Sequence, residues 1–113
     1  MEALRQPQTW GHNLGPVSRI PRGEGKTFIV AARMVAVFRT RSGELFATQA
    51  SCPHRGGPLA EGMIGGTELV CPLHGFKFDL SSGRPIGNDC SALKTYPVDV
   101  SSRGEIRLYL EDR

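Results

Sequence analysis

Apolar and polar positions follow strand periodicity at both ends of the chain and lose it in the middle. Thr27-Phe28-Ile29-Val30 and Met34-Val35-Ala36-Val37-Phe38 are rich in β-branched and aromatic residues and predict two strands. Arg41-Ser42-Gly43-Glu44 is a turn signal, after which Leu45-Phe46-Ala47-Thr48 resumes, so a hairpin is expected. Near the C-terminus Tyr96, Val98 and Val100 share one phase, and Ile106, Leu108 and Leu110 share another. Ser101-Ser102-Arg103-Gly104 lies between them, which predicts a second hairpin. Residues 1–9 are polar and read as a loose end. Trp10 reads as an anchor of the first strand to the core, and His12 as a surface residue. No internal repeat, low-complexity tract or long amphipathic helix is present.

Between residues 50 and 90 the alternation gives way to glycine- and proline-rich loops. Only Glu68-Leu69-Val70 and Phe76-Lys77-Phe78 read as short strands there, with a turn at Ser81-Ser82-Gly83-Arg84-Pro85. The expected organisation is a β scaffold built by both ends, about 10–49 and 87–112, around a loop-rich insert of about 50–86. Together they form one domain, 1–113. The insert is expected to bury little apolar area for its length. Something other than a hydrophobic core should then hold its loops.

Composition agrees with this picture. The chain has 113 residues, 39% of them hydrophobic, with 14 glycines and eight prolines. That length suits a single domain and excludes a large catalytic barrel, and the glycine and proline content favours turn-rich β structure over a helix bundle. The net charge is only +3. The basic excess lies in residues 1–49 and is spread out, with Glu24 and Glu44 among the arginines. A nucleic-acid binder would need a denser basic stripe with interleaved aromatics, so no nucleic-acid partner is expected. No stretch approaches a membrane span, and Met1 to Asn13 lacks the apolar core of a signal peptide. A cytoplasmic protein with reduced thiols and no membrane partner is expected. Three cysteines are too few, and odd in number, for a disulfide scaffold.

The insert holds Cys52-Pro53-His54 and Cys71-Pro72-Leu73-His74, a C-x-H and a C-x-x-H separated by sixteen residues. Two thiolates and two imidazoles can close a tetrahedral zinc site, which would make the chain a zinc-binding structural module. They can also hold a [2Fe–2S] cluster, with two Cys on one iron and two His on the other. Common zinc modules pair like ligands close together, whereas here each loop carries one ligand of each kind. Two bridged irons suit that arrangement. Cys90 is left over and reads as a small semi-buried residue.

Cys52-Pro53-His54-Arg55-Gly56-Gly57-Pro58-Leu59 and Cys71-Pro72-Leu73-His74-Gly75-Phe76-Lys77-Phe78-Asp79 resemble the two cluster loops of Rieske [2Fe–2S] proteins. Ile20 to Lys26, Val35 to Arg39 and Leu93 to Val98 are similar to the strands that flank those loops in small bacterial members. The resemblance implies an all-β Rieske fold: stacked antiparallel sheets with an inserted cluster-binding subdomain. It also implies one [2Fe–2S] cluster, with Cys52 and Cys71 on the inner iron and His54 and His74 on the outer iron near the surface. Imidazole is neutral where thiolate is anionic, so such a cluster is easier to reduce than an all-Cys one.

High-potential members carry an extra cysteine in each loop, and the two form a disulfide. Gly57 and Leu73 stand at or beside those places here. Those members also offer hydroxyls to the cluster sulfurs, where this chain has Phe76 and Phe78. Missing hydrogen bonds leave the more negative reduced state less stable, so a low-potential cluster is expected. Pro58, Leu59, Phe76 and Pro85 are candidates to ring it.

With no flavin, nicotinamide or mononuclear iron motif, the chain is expected to have no substrate chemistry of its own. It reads as the electron-transfer component of an oxidoreductase system. Two roles within the family fit. One is the small subunit of an NAD(P)H-dependent nitrite reductase, the role favoured by the leading strands. The other is the ferredoxin of an aromatic ring-hydroxylating dioxygenase system. The expected partner is a flavin- or sirohaem-containing reductase subunit, or an oxygenase, docking near His54 and His74.

Overall fold

Val35, Ala36, Val37 and Phe38 are all fully buried, although side chains alternate across a strand. Their strand is therefore covered on both faces, which is what an uninterrupted apolar run permits. A computed structural model describes residues 11–53, 56–73 and 75–110 of the chain. Trp10 lies outside them.

Eleven strands and two 3₁₀ turns follow one another among those residues. They are β1 (His12–Pro16), a turn at Val17–Arg19, β2 (Glu24–Val30), β3 (Arg33–Arg39), β4 (Leu45–Gln49) and a turn at Leu59–Glu61. Then come β5 (Met63–Gly65), β6 (Glu68–Val70), β7 (Lys77–Asp79), β8 (Pro85–Ile86), β9 (Thr95–Tyr96), β10 (Val98–Val100) and β11 (Glu105–Leu108). They form three antiparallel sheets, in the orders β1-β11-β10, β2-β3-β4-β9 and β5-β6-β7-β8. The fold is all-β.

The sheet containing β3 is the middle layer. On one face Val35 and Val37 pack with Phe28 and Val30 of β2, Leu14 of β1, and Ile106 and Leu108 of β11. On the other face Ala36 and Phe38 pack with Leu59, Leu69, Phe78, Leu80, Cys52 and Cys71. Gly25 of β2 makes room for this second core. A Cβ there would stand 2.6 Å from the Phe38 ring and 3.0 Å from the Ala60 carbonyl oxygen.

The second core corrects the expectation that the insert buries little. Leu59, Leu69, Phe78 and Leu80 are at most 1% exposed. Each lies in or next to an element only three residues long, and together they close on the far face of β3. Leu59 is thus a core residue, packed in the same cluster as Cys52 and Cys71.

The C-terminal pattern also resolves differently. Tyr96 and Val98 sit on different sheets, because β9 pairs with β4 while β10 pairs with β11. Pro97 separates them. It has no N–H to continue a ladder, and its carbonyl instead accepts the Tyr109 amide at 3.0 Å. Burial falls accordingly from Tyr96, at 8% exposed, to Val100, at 41%. The hairpin of β10 and β11 is as expected. Strand β1 was not anticipated, and it runs antiparallel to β11 with His12 opposite Leu108. His12 is exposed.

Two local features generate tests. Val30 pairs with Arg33, so β2 and β3 are joined by Ala31 and Ala32 alone, at φ 52° and 66°. A two-residue turn with both φ values positive ordinarily takes Asn-Gly, because a Cβ is strained there. Ala32→Gly is expected to stabilise the fold by about 0.5–1 kcal/mol, read from urea unfolding midpoints. The second feature closes the turn after β7. The Asp79 carboxylate accepts Ser82 Oγ at 2.6 Å, Ser81 Oγ at 2.8 Å and the Ser82 amide at 3.1 Å. Those hydrogen bonds hold its pKa below the usual carboxylate range, against a smaller opposing effect of burial. A depressed folded pKa means the contribution is complete above the unfolded carboxylate value and is lost as pH falls through the folded one. Asp79→Asn is expected to cost about 1 kcal/mol at neutral pH and to flatten stability against pH in acid, measured by denaturation at a series of pH values.

Candidate metal centre

The two cysteine loops have the same construction. In the first, Ser51 bridges Pro58, and between them the Cys52 amide donates to the Gly57 carbonyl at 2.9 Å. In the second, Val70 pairs with Lys77, and between them the Cys71 amide donates to the Phe76 carbonyl at 2.7 Å. Each is thus a six-residue loop opening on Cys-Pro and closed at its base by the cysteine's own N–H. In each, the fifth residue is a glycine at positive φ, Gly56 at 74° and Gly75 at 69°. That conformation turns the chain back without straining a Cβ.

Both loops are tied to the scaffold. Gln49, the last residue of β4, donates from Nε2 to the Ser51 carbonyl at 2.7 Å, and its Oε1 accepts the Lys94 amide at 2.8 Å. This one side chain fixes the residue before Cys52 to the segment leading into β9. The Leu59 amide donates to the Ala50 carbonyl at 3.0 Å and holds the other end of the loop. The second loop is the connection between β6 and β7 and inherits its register from that ladder.

The result places two thiols together in the second core. Cys52 is 2% and Cys71 1% exposed, and neither is in a disulfide. Burial pushes the Cys71 thiol above its ordinary pKa, the Leu73 amide donating to Sγ at 3.4 Å pulls it back, and the neighbouring Cys52 pushes it up further. A metal that takes two thiolates is what such a buried, unbridged pair fits. His54 and His74 lie outside the described residues. Cys90 is half-buried against the same core, and burial followed by the proximity of Cys52 raises its thiol pKa. Among the described residues no group of three or more Cys, His, Asp or Glu side chains is placed to hold a metal ion.

The Rieske [2Fe-2S] domain model matches residues 11–97. The chain belongs to the Rieske [2Fe–2S] domain family. It is 32% identical over 85 residues to the ferredoxin component of the naphthalene 1,2-dioxygenase system of Pseudomonas aeruginosa, covering 74% of this chain and 81% of that one. The fold matches an NADH-dependent nitrite reductase small subunit from Mycobacterium tuberculosis with a TM-score of 0.84 at 19% identity, over 91% of this chain and 96% of that one. It also matches the ferredoxin in a complex of reduced oxygenase and oxidised ferredoxin of carbazole 1,9a-dioxygenase, with a TM-score of 0.79 at 27% identity, over 91% and 95%.

As a Rieske domain the chain is an electron carrier built for a single [2Fe–2S] cluster, which sets aside the zinc alternative. Among the described residues no helix is long and apolar enough to cross a membrane.

Pattern reading missed one surface beside the second loop. Gly75, Phe76, Lys77, Ile86, Gly87 and Asn88 line an open groove of about 440 Å³. Asn88 shapes it, donating to the Lys77 and Ile86 carbonyls at 3.0 and 3.2 Å and accepting the Cys90 amide at 3.0 Å. An asparagine in a polar loop carries no periodic signal. Pro58 is exposed, while Phe76 and Pro85 are half-buried. Cys90→Ser is expected to leave iron and sulfide content unchanged, checked by metal and acid-labile sulfide analysis.

Proposed function

We propose that the chain is a low-potential one-electron carrier serving a multicomponent oxygenase, with Cys52 and Cys71 on the inner iron and His54 and His74 on the outer one. The observation that carries the ligation reading is the pair of buried, unbridged thiols at the equivalent first position of twin loops. When bound, the cluster supplies a one-electron store, and the imidazole ligands set it apart from all-Cys centres.

The chain's own residues do the rest. Leu59, Leu69, Phe78 and Leu80 exclude water from the side of the thiols that faces the core. The Leu73 amide offers one hydrogen bond to Cys71 Sγ. Phe76 and Phe78 stand where a hydroxyl could have donated, and among the described residues no Ser, Thr or Tyr hydroxyl reaches either sulfur. Fewer donors at sulfur favour the less negative oxidised state and support a potential near the lower end of the roughly −150 to +300 mV Rieske span. His54 and His74 follow the two cysteines in the sequence. We place the docking of the redox partner around them.

The oxygenase reading is supported by relatives of matching length at 30% identity or more that are dioxygenase ferredoxins. The other reading, the small subunit of an NAD(P)H-dependent nitrite reductase, rests on the similarity of the leading strands and on the shared fold. One set of measurements separates them. Reduced protein is expected to pass electrons to a ring-hydroxylating oxygenase component and not to a sirohaem nitrite reductase large subunit. Protein-film voltammetry is expected to give a value near the lower end of the span, and Cys52→Ser is expected to lose iron and sulfide. Delivery to nitrite reductase alone reverses the choice of partner. A clearly positive potential contradicts the low-potential reading, and one zinc without sulfide contradicts the cluster.

A further inference from the structure

Gly56 and Gly57 are adjacent, yet they are glycines for different reasons. Gly56 is at positive φ with nothing within 4 Å of where a Cβ would stand. Gly57 is not at positive φ, and there the space is taken. A Cβ on it would lie 3.0 Å from Leu73 Cγ, 3.1 Å from Leu73 Cδ1 and 3.2 Å from Cys71 Sγ. The Leu73 side chain, from the second loop, therefore lies directly on the backbone of the first. Gly57 is buried beneath it.

Leu73 is 40% exposed, while Cys71, two residues earlier, is 1% exposed. The Leu73 amide also donates to Cys71 Sγ at 3.4 Å. One residue thus contacts the thiol through its backbone and spans to the opposite loop through its side chain, with its outer surface towards water. The hydrogen bonds at the loop bases, Cys52 to Gly57 and Cys71 to Phe76, close each loop on itself. The isobutyl group joins one loop to the other.

We infer that Leu73 is a positioning residue, an apolar latch seated on Gly57 that holds the two loops together and keeps water from the Cys71 sulfur. This rests on the proposal that Cys52 and Cys71 ligate the inner iron. The physical basis is contact and exclusion. An apolar side chain packed on bare backbone is stabilised by the area it buries, and water admitted beside a thiolate-bound cluster stabilises its more negative, reduced state. Shortening Leu73 should loosen the loop pair and move the potential upward. Adding a methyl at Gly57 should displace the latch from below.

The test uses holoprotein of wild type, Leu73→Ala, Leu73→Met, Gly57→Ala and Gly57→Ala/Leu73→Ala. Two readings are taken: the rate of iron release to a chelator, followed by visible absorbance, and the midpoint potential. Leu73→Ala is expected to release iron several-fold faster and to shift the potential to a more positive value. Leu73→Met, which keeps the reach, is expected to restore both towards wild type. The double variant is expected to release iron more slowly than the product of the two single effects predicts, because truncating the leucine removes its two close contacts with the added methyl and leaves only the one to Cys71 Sγ. Far-UV circular dichroism checks that each variant is folded. Should Leu73→Ala not fold, Leu73→Val and Leu73→Met carry the comparison by their different reach.

Release and potential indistinguishable from wild type in Leu73→Ala overturn the latch, as does a Leu73→Met as impaired as Leu73→Ala. Equal rates in wild type, Val and Met do the same where Ala is lost. A wild-type chain that holds no iron and sulfide overturns the ligation reading and the latch with it. A loaded wild type with unresponsive variants overturns the latch alone.

Discussion

Strand β3 has no solvent face from Val35 to Phe38, and both hydrophobic cores are built against it. One phase of its side chains closes the scaffold, and the other closes the insert that carries the cysteines. A cavity on either face of such a strand is felt across the middle sheet, because close-packed interiors transmit displacement. The loops of the metal centre are consequently not appendages. Cys52 and Cys71 belong to the same packed cluster as Ala36 and Phe38. The position of each sulfur is set by the rigidity of the central sheet as much as by its own loop.

The low potential we propose rests on what the loops lack as well as on what they contain. Thiolates in an apolar surround are costly without a cation, which a bound metal supplies. Phe76 at the end of the second loop and Phe78 after it contribute volume and no proton. What remains to stabilise a more negative centre is backbone, in particular the Leu73 amide. Backbone donors are fixed by loop closure, which places the electronic character of the site largely under the control of the fold.

The cysteine and histidine spacing stood out because metal geometry demands specific residue types at specific intervals. Cys52 and Cys71 meet as the spacing implied, while His54 and His74 lie outside the described residues. The strands of the scaffold were legible because β-branched and aromatic runs were long enough to show their period. The core of the insert was not. Leu59, Leu69, Phe78 and Leu80 lie in or next to elements too short to show a period, and their partners on β3 are at least twenty residues away in the chain. The division at Pro97 was hidden for a related reason. Tyr96 and Val98 keep the same alternation whether they share a sheet or not, and only pairing partners tell the two cases apart. The groove shaped by Asn88 depends on three hydrogen bonds to backbone, which leave no trace in hydropathy.

The antiparallel pairing of β1 with β11 brings His12 opposite Leu108, so the described chain comes in and goes out at neighbouring positions on one sheet. A unit whose ends meet can be spliced into a longer polypeptide at little conformational cost, since the host chain needs only to be interrupted and not redirected. The cysteine loops belong to a different sheet and a different core, so such a splice leaves their packing untouched. The described residues therefore have a geometry that suits a separate domain and a segment of a longer chain alike.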